Sequence, residues 1–136
     1  MEVPFFLAAD FANKSENGKL NVLGAFNVIN AVNFPAIHRS LYLVIRLGLE
    51  YGEFDIEHEF RILLIDEDGN ELGQQPGSIV VGKPEKGRRV FSDIIMEIRD
   101  LQLEKPGSYE FRFIINKETK GIASMDVVRV QSKDAE

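Results

Sequence analysis

Leu101-Gln-Leu-Glu-Lys-Pro-Gly-Ser-Tyr-Glu-Phe-Arg-Phe-Ile-Ile-Asn116, with Lys-Glu-Thr-Lys-Gly121 and the run on to Val130, is the stretch that decides the fold. It reads as turn, strand, turn, strand. Lys105-Pro106-Gly107-Ser108 has the composition of a type II turn: proline presets φ at the second position and glycine supplies a positive φ at the third. Tyr109, Phe111, Phe113 and Ile115 then share one face, with Glu110, Arg112 and Asn116 on the other, a period of two. Ile114 is the apolar residue on the polar side. A loop of a few residues containing Gly121 predicts a hairpin that returns through Met125 and Val127. Two registers compete. One sets Phe111 opposite Asp126 and Phe113 opposite Ser124; the other sets Phe111 opposite Val127, Phe113 opposite Met125 and Arg112 opposite Asp126. A slip of one residue turns every side chain to the other face. Each favourable cross-strand pair is worth about 0.2–1 kcal/mol, so the second register is the expected one.

The chain has 136 residues, a size that predicts a single domain over 1–136 with its own core and a frayed polar tail at 132–136. It has no cysteine, which excludes thiolate metal sites and disulfides and fits a reducing compartment. A net charge of −6 argues against nucleic acid, whose phosphates need clustered Lys and Arg. No apolar run approaches the roughly 18 residues of a membrane span. The start, Met1 to Asp10, lacks a basic segment and reaches Asp10 too soon for a signal peptide. A soluble, cytoplasmic protein is expected.

Phe5, Leu7, Ala9 and Phe11 alternate with Phe6, Ala8 and Asp10, the pattern of a strand. Asn17-Gly18 then predicts a type I′ hairpin, and counting outward from it pairs Phe11 with Gly24, Ala9 with Phe26 and Leu7 with Val28. The other face of this hairpin pairs Phe6 with Ile29, Ala8 with Asn27 and Asp10 with Ala25. Pro35 holds Phe34 extended, and 35–40 reads as a crossing loop. Leu41, Leu43, Ile45, Leu47 and Leu49 face inward on the next strand, with Tyr42 and Arg46 outward. Glu57–Asp66 is a further strand, inward at Phe60, Ile62 and Leu64. Asp68-Gly69 closes a hairpin around Leu72, and Pro76-Gly77-Ser78 starts Ile79–Val81. Arg89–Arg99 is a strand with Ile94, Met96 and Ile98 inward; an amphipathic helix over Phe91–Leu103 is the competing reading, disfavoured by β-branched content and missing caps. About eight short strands broken by Gly, Pro and Asn turns predict an all-β fold, an antiparallel β-sandwich, immunoglobulin-like or jelly-roll.

Asp10, the run Asn17-Gly-Lys-Leu-Asn-Val-Leu-Gly-Ala-Phe26, Phe34-Pro35 and Pro106-Gly-Ser-Tyr109 resemble a family of small uncharacterised bacterial proteins, a domain of unknown function, over most of the chain. The resemblance implies a bacterial origin and transfers no catalytic residue.

Among candidate sites, Asp66-Glu-Asp-Gly-Asn-Glu71 has alternating oxygen ligands like a calcium loop, but position six is Glu71 and position twelve is Gly77, so it reads as a solvated turn. His38 and His58 are the only histidines, and no Ser or Thr sits in a nucleophile elbow to join them. No catalytic residue, metal ligand or cofactor is assigned. Lys83, Lys86, Arg88 and Arg89 form a basic loop, read as a solubilising guard beside an edge strand or as an anion site. Tyr51 and Phe54 share a loop that would fold over the open end of the core or stack on a sugar. Phe6, Leu23, Ala25 and Ile29 make the second apolar face of the first hairpin, an interface patch for a protein partner or a homo-oligomer. The expected function is a non-catalytic interaction or assembly module; a small-molecule or carbohydrate-binding domain is the alternative, and an enzyme comes last.

Overall fold

The alternation over residues 109–115 governs the observed structure, a computed structural model that describes residues 1–85 and 90–132. β8 (Gly107–Ile115) buries Tyr109, Phe111, Phe113 and Ile115 and leaves Glu110, Arg112 and Ile114 half-buried on its other side. Phe113 is fully buried between the rings of Phe6 (6.4 Å) and Phe60 (5.5 Å). Burying a phenylalanine is worth about 1.5–3 kcal/mol. Gly107 has a positive φ of 153°, but the backbone there is extended and not that of a type II turn. The carbonyl of Lys105 instead accepts the Tyr109 hydroxyl at 2.6 Å.

β9 (Glu118–Arg129) follows after a two-residue turn, because Asn116 and Lys117 both take positive φ, 51° and 68°. That tight turn replaces the loop expected at Gly121 and corrects the register. Phe111 faces Ala123, Phe113 faces Gly121 and Arg112 faces Ile122. The shift from Val127 to Ala123 is an even number of residues, so Ala123, Met125 and Val127 still point inward. Asp126 lies opposite Ser108 and accepts its hydroxyl at 3.1 Å. Gly121 sits inside the strand, where a Cβ would stand 3.2 Å from Val3 Cγ1 and 3.4 Å from Phe6 Cδ2. The bare backbone lets two side chains of the first strand seat on β9.

β1 (Glu2–Lys14) and β2 (Leu20–Phe26) form the predicted hairpin one residue out of the expected register. The pairs are Ala8–Phe26, Ala9–Ala25, Phe11–Leu23 and Ala12–Val22. The Ser15 amide donates to the Lys19 carbonyl (2.8 Å) and the Gly18 amide to the Ser15 carbonyl (2.9 Å). Gly18 alone of the Asn17-Gly18 pair has positive φ, 82°. This is a three-residue loop ending in a glycine bulge, and it offsets the ladder from a type I′ turn. The slip exchanges the faces: Phe6 and Ala8 pack with the core, while Phe5, Leu7 and Phe11 point away from it.

The chain then changes sheets at one residue, Asn27, whose carbonyl accepts the Asp126 amide at 2.9 Å. β3 (Val28–Ala31) pairs parallel with β9, with Ile29 opposite Val127. β4 (Ala36–Leu49) begins directly after the cis Phe34–Pro35 bond, so residues 36–40 are strand and not a crossing loop. They continue the ladder with β7 (Val90–Leu103) from Leu49–Val90 to Ala36–Leu103, which also replaces the helix considered for that stretch. β5 (His58–Ile65) and β6 (Glu71–Ile79) complete the set. β6 takes Pro76 and Gly77 into an edge strand, where a missing N–H is tolerated.

Among the described residues nine strands form two sheets, ordered β2-β1-β4-β7 and β3-β9-β8-β5-β6. Leu41, Leu43, Ile45, Leu47 and Leu49 face Phe60, Ile62, Leu64, Phe111 and Phe113 across the core. The hairpins β5–β6 and β8–β9 each stay within one sheet, and β4 pairs with β7, the fifth strand after the first two hairpin strands. With β1, β4 and β7 in the places of strands A, B and E, and β9, β8, β5 and β6 in those of G, F, C and C′, the connectivity is immunoglobulin-like and not jelly-roll. The Tyr109 bond to Lys105, at the corner entering the F-like strand, is the tyrosine corner of such sandwiches.

Candidate functional site

Every second residue of β4 points out of the sandwich, and the ladders fix what surrounds it. Val44 lies between Leu7 and Ile95, Tyr42 between Ala9 and Glu97, and Arg46 between Phe5 and Asp93. Phe11 and Leu23 extend the same side toward β2. The outward face of the four-stranded sheet is therefore apolar along its middle. Val44 and Ala9 are fully buried there by their neighbours' side chains, whereas Phe11 is 43% exposed and Leu23 69%. Phe11 meets Tyr42 edge to face at 5.1 Å. The Arg46 guanidinium lies over Phe5 (5.4 Å) and Phe91 (5.9 Å), bridging two rings.

Charge is held at the margin. Arg46 clasps Asp93 through two bonds, Nε to Oδ1 at 2.7 Å and Nη2 to Oδ2 at 3.0 Å, with Lys14 Nζ at 3.7 Å. The Arg46 hydrogen bond holds the Asp93 carboxyl below its ordinary value against the opposing effect of burial, and the same bond raises the Arg46 guanidinium. Glu97 takes Arg99 Nε at 3.2 Å and the Ser40 hydroxyl at 2.9 Å, and both bonds, Arg99's first, lower its carboxyl.

The patch anticipated from sequence is split by the register slip. Phe6 faces Phe113 inside the core, and Ile29 is 6% exposed on the other sheet. Leu23 and Ala25 are exposed and share their face with Phe5, Leu7, Ala9 and Phe11. Those four residues alternate strictly in the sequence; with Phe6 and Ala8 between them, alternation alone did not say which set faces out. Phe54 packs against the core, so it forms no platform with Tyr51. Tyr51, 85% exposed, meets a different partner: Lys83 Nζ lies 3.3 Å from its hydroxyl and 4.9 Å from its ring centre. Lys86, Arg88 and Arg89 lie outside the described residues, as does 133–136 of the tail.

His58 is buried, and both ring nitrogens are engaged. Nε2 lies 2.7 Å from the Glu53 carbonyl and so carries its proton; Nδ1 accepts the Asn116 amide at 2.9 Å. It ties the 50–57 loop to the β8–β9 turn. His38 stands on β4, not in a loop, with its ring 5.7 Å from that of Phe26. Asp66 spends its carboxylate on its own turn, accepting the Asn70 amide at 2.8 Å and the Asp68 amide at 3.0 Å. Those bonds, Asn70's first, hold it below the usual carboxylate range. Among the described residues no group of three or more His, Asp or Glu is arranged to hold a metal ion, and no helix is long and apolar enough to cross a membrane.

Residues 4–128 match a family of unknown function, DUF6941. The chain belongs to that family. No curated protein matches it. Solved structures that resemble this family member include a beta-glucuronidase from glycoside hydrolase family 2, with a TM-score of 0.37 and 11% identity over 69% of this chain. The chain spans 11% of that protein's length.

Proposed function

We propose that the chain is a non-catalytic protein-binding module whose docking surface is the outward face of β2-β1-β4-β7. The observation that carries this reading is the face itself: Phe5, Leu7, Phe11, Leu23 and Tyr42 run together, with Arg46, Asp93 and Glu97 along the rim. An apolar, aromatic centre with a charged margin is the anatomy of a protein interface, and Tyr, Phe and Arg are the residues that anchor one. The engagement of both His58 nitrogens in the fold supports a role without chemistry. A bacterial, cytoplasmic setting belongs to the same proposal, supported by the cysteine-free composition.

The test uses Phe11→Ser with Leu23→Ser, both at exposed positions, against Ile122→Ser on the opposite sheet, which is 53% exposed. A partner purified in complex with the chain should protect residues 5–11 and 20–26 from hydrogen exchange. The double variant should lose that complex and Ile122→Ser should keep it. A complex that survives the double substitution refutes the proposal.

A further inference from the structure

The four-stranded sheet forks at one end. β1 and β4 pair as far as Ala9–Tyr42 and then part. Beyond that point β1 stays with β2 as far as Lys14, while β4 stays with β7 back to Ala36. A cleft of ≈480 Å³ opens in the fork, lined also by β3 of the other sheet. Ile29 and Ala36 give it an apolar part, and Asp10, His38 and Arg39 bring two opposite charges and an imidazole. Sites for small molecules run from roughly 300 to 1,000 Å³, and the cleft falls within that range. On β3 the carbonyls of Asn27 and Ala31 accept the Asp126 and Val130 amides of the β9 side, both at 2.9 Å. The alternation of a strand then leaves the N–H and C=O of Asn30, which also lines the cleft, on the unpaired edge.

The Asp10 carboxylate has a seat of its own. Gly24 lies opposite it, between the Ala9–Ala25 and Phe11–Leu23 pairs, and takes a φ of 69° in the middle of β2. A Cβ on Gly24 would stand 2.5 Å from Asp10 Oδ2, so glycine is needed there both for its backbone and for its missing side chain. Elsewhere on this sheet the charges are spent on one another, Arg46 on Asp93 and Arg99 on Glu97. In the fork they are not. Among the described residues neither Asp10, His38 nor Arg39 forms a side-chain hydrogen bond or an ion pair. A carboxylate and a guanidinium thus open on one cleft without meeting. A lone anion drawn to Arg39 would be repelled by Asp10, and a lone cation drawn to Asp10 would be repelled by Arg39. A molecule that carries both charges satisfies both.

We infer that the fork between β1 and β4 binds a small zwitterion, a free α-amino acid, with its ammonium group on Asp10 and its carboxylate on Arg39. The His38 ring supplies a second donor for that carboxylate, and the apolar part at Ile29 and Ala36 receives the substituent on the α-carbon.

The test is a heteronuclear NMR titration of the full chain with the standard amino acids, one at a time. Saturable shifts should appear at residues 10, 24, 29–31 and 36–40 and leave Ile122, on the opposite sheet, unmoved. The N-acetyl and the amide forms of the amino acid that binds each lack one charge and should bind roughly tenfold more weakly or worse. Asp10→Asn and Arg39→Gln, both at exposed positions, should each cause a loss of the same size with an unchanged circular-dichroism spectrum. Phe11→Ser with Leu23→Ser should leave the amino acid bound, which separates this inference from the docking face. Titrations in which no amino acid moves the fork residues overturn the inference. So does a bound amino acid that tolerates both Asp10→Asn and Arg39→Gln, or acetate binding as tightly as the amino acid, since that makes the cleft a plain anion site.

Discussion

Two glycines on one strand make a matched experiment in packing. Gly73 and Gly77 share the inward face of β6, opposite Leu64 and Phe60. Neither has a positive φ, so alanine suits the backbone at both. A Cβ at Gly73 meets nothing within 4 Å, whereas one at Gly77 is driven into the Phe60 ring, with Cε1 at 2.8 Å. Phe60 is 8% exposed and leans on the fully buried Phe113, so its ring has close neighbours on the side away from the glycine. Gly73→Ala is expected to stabilise by about 0.4–1 kcal/mol through the unfolded chain. Gly77→Ala gains the same amount but adds about 1–3 kcal/mol of overpacking, for a net loss of up to about 2.6 kcal/mol. Urea unfolding at constant m reads both values, and each kcal/mol moves Tm by roughly 3–5 °C at this size. Phe60→Leu in the Gly77→Ala background should recover more than about 0.5 kcal/mol of coupling. Equal shifts for the two alanines would refute the claim that the Phe60 ring occupies the space above Gly77.

Tyr109→Phe keeps the buried ring and removes the 2.6 Å bond to the Lys105 carbonyl; a loss of about 1 kcal/mol in the same assay is expected, and an unchanged midpoint would mean that the corner is held by packing alone. Arg46→Met should cost about 1–3 kcal/mol at neutral pH by leaving the nearly buried Asp93 without its bidentate partner. The folded Asp93 carboxyl lies below its unfolded value, about 3.9. Its contribution is therefore complete above that value and is lost as pH falls through the lowered folded one. An acid titration of stability should be shallower in Arg46→Met than in the parent; superimposable profiles would remove the pair from the account of acid unfolding.

The faces of β4, β7 and β8 could be read from sequence because their two sides differ in kind: Leu41 to Leu49 against Tyr42 and Arg46, Ile94 to Ile98 against Asp93 and Glu97, Phe111 and Phe113 against Glu110 and Arg112. β1 gave no such contrast, since Phe5, Leu7 and Phe11 are as apolar as Phe6 and Ala8. Its orientation hung on the turn, and Asn17-Gly18 serves a three-residue loop as readily as a type I′ turn. The β8–β9 register failed for a related reason. Lys117 in the left-handed region has no signature in composition, while Gly121, which looked like a turn residue, is a point of close packing. The candidate face inherits both effects. Leu23 and Ala25 were found, but of their companions Phe6 lies on the inward side of β1 and Ile29 is buried on the other sheet.

The single-residue crossing at Asn27 ties the order of synthesis to the order of closure. β3 leaves the first sheet to lie beside β9, its parallel partner at the opposite end of the chain. A polypeptide emerging from the ribosome with its amino end first carries β3 unpaired, Ile29 included, until β9 has emerged. Contacts of such long range close late. The five-stranded half of the molecule is completed only when translation has delivered its final strand, and a nascent chain halted before residue 118 holds an open ladder at both of that strand's neighbours.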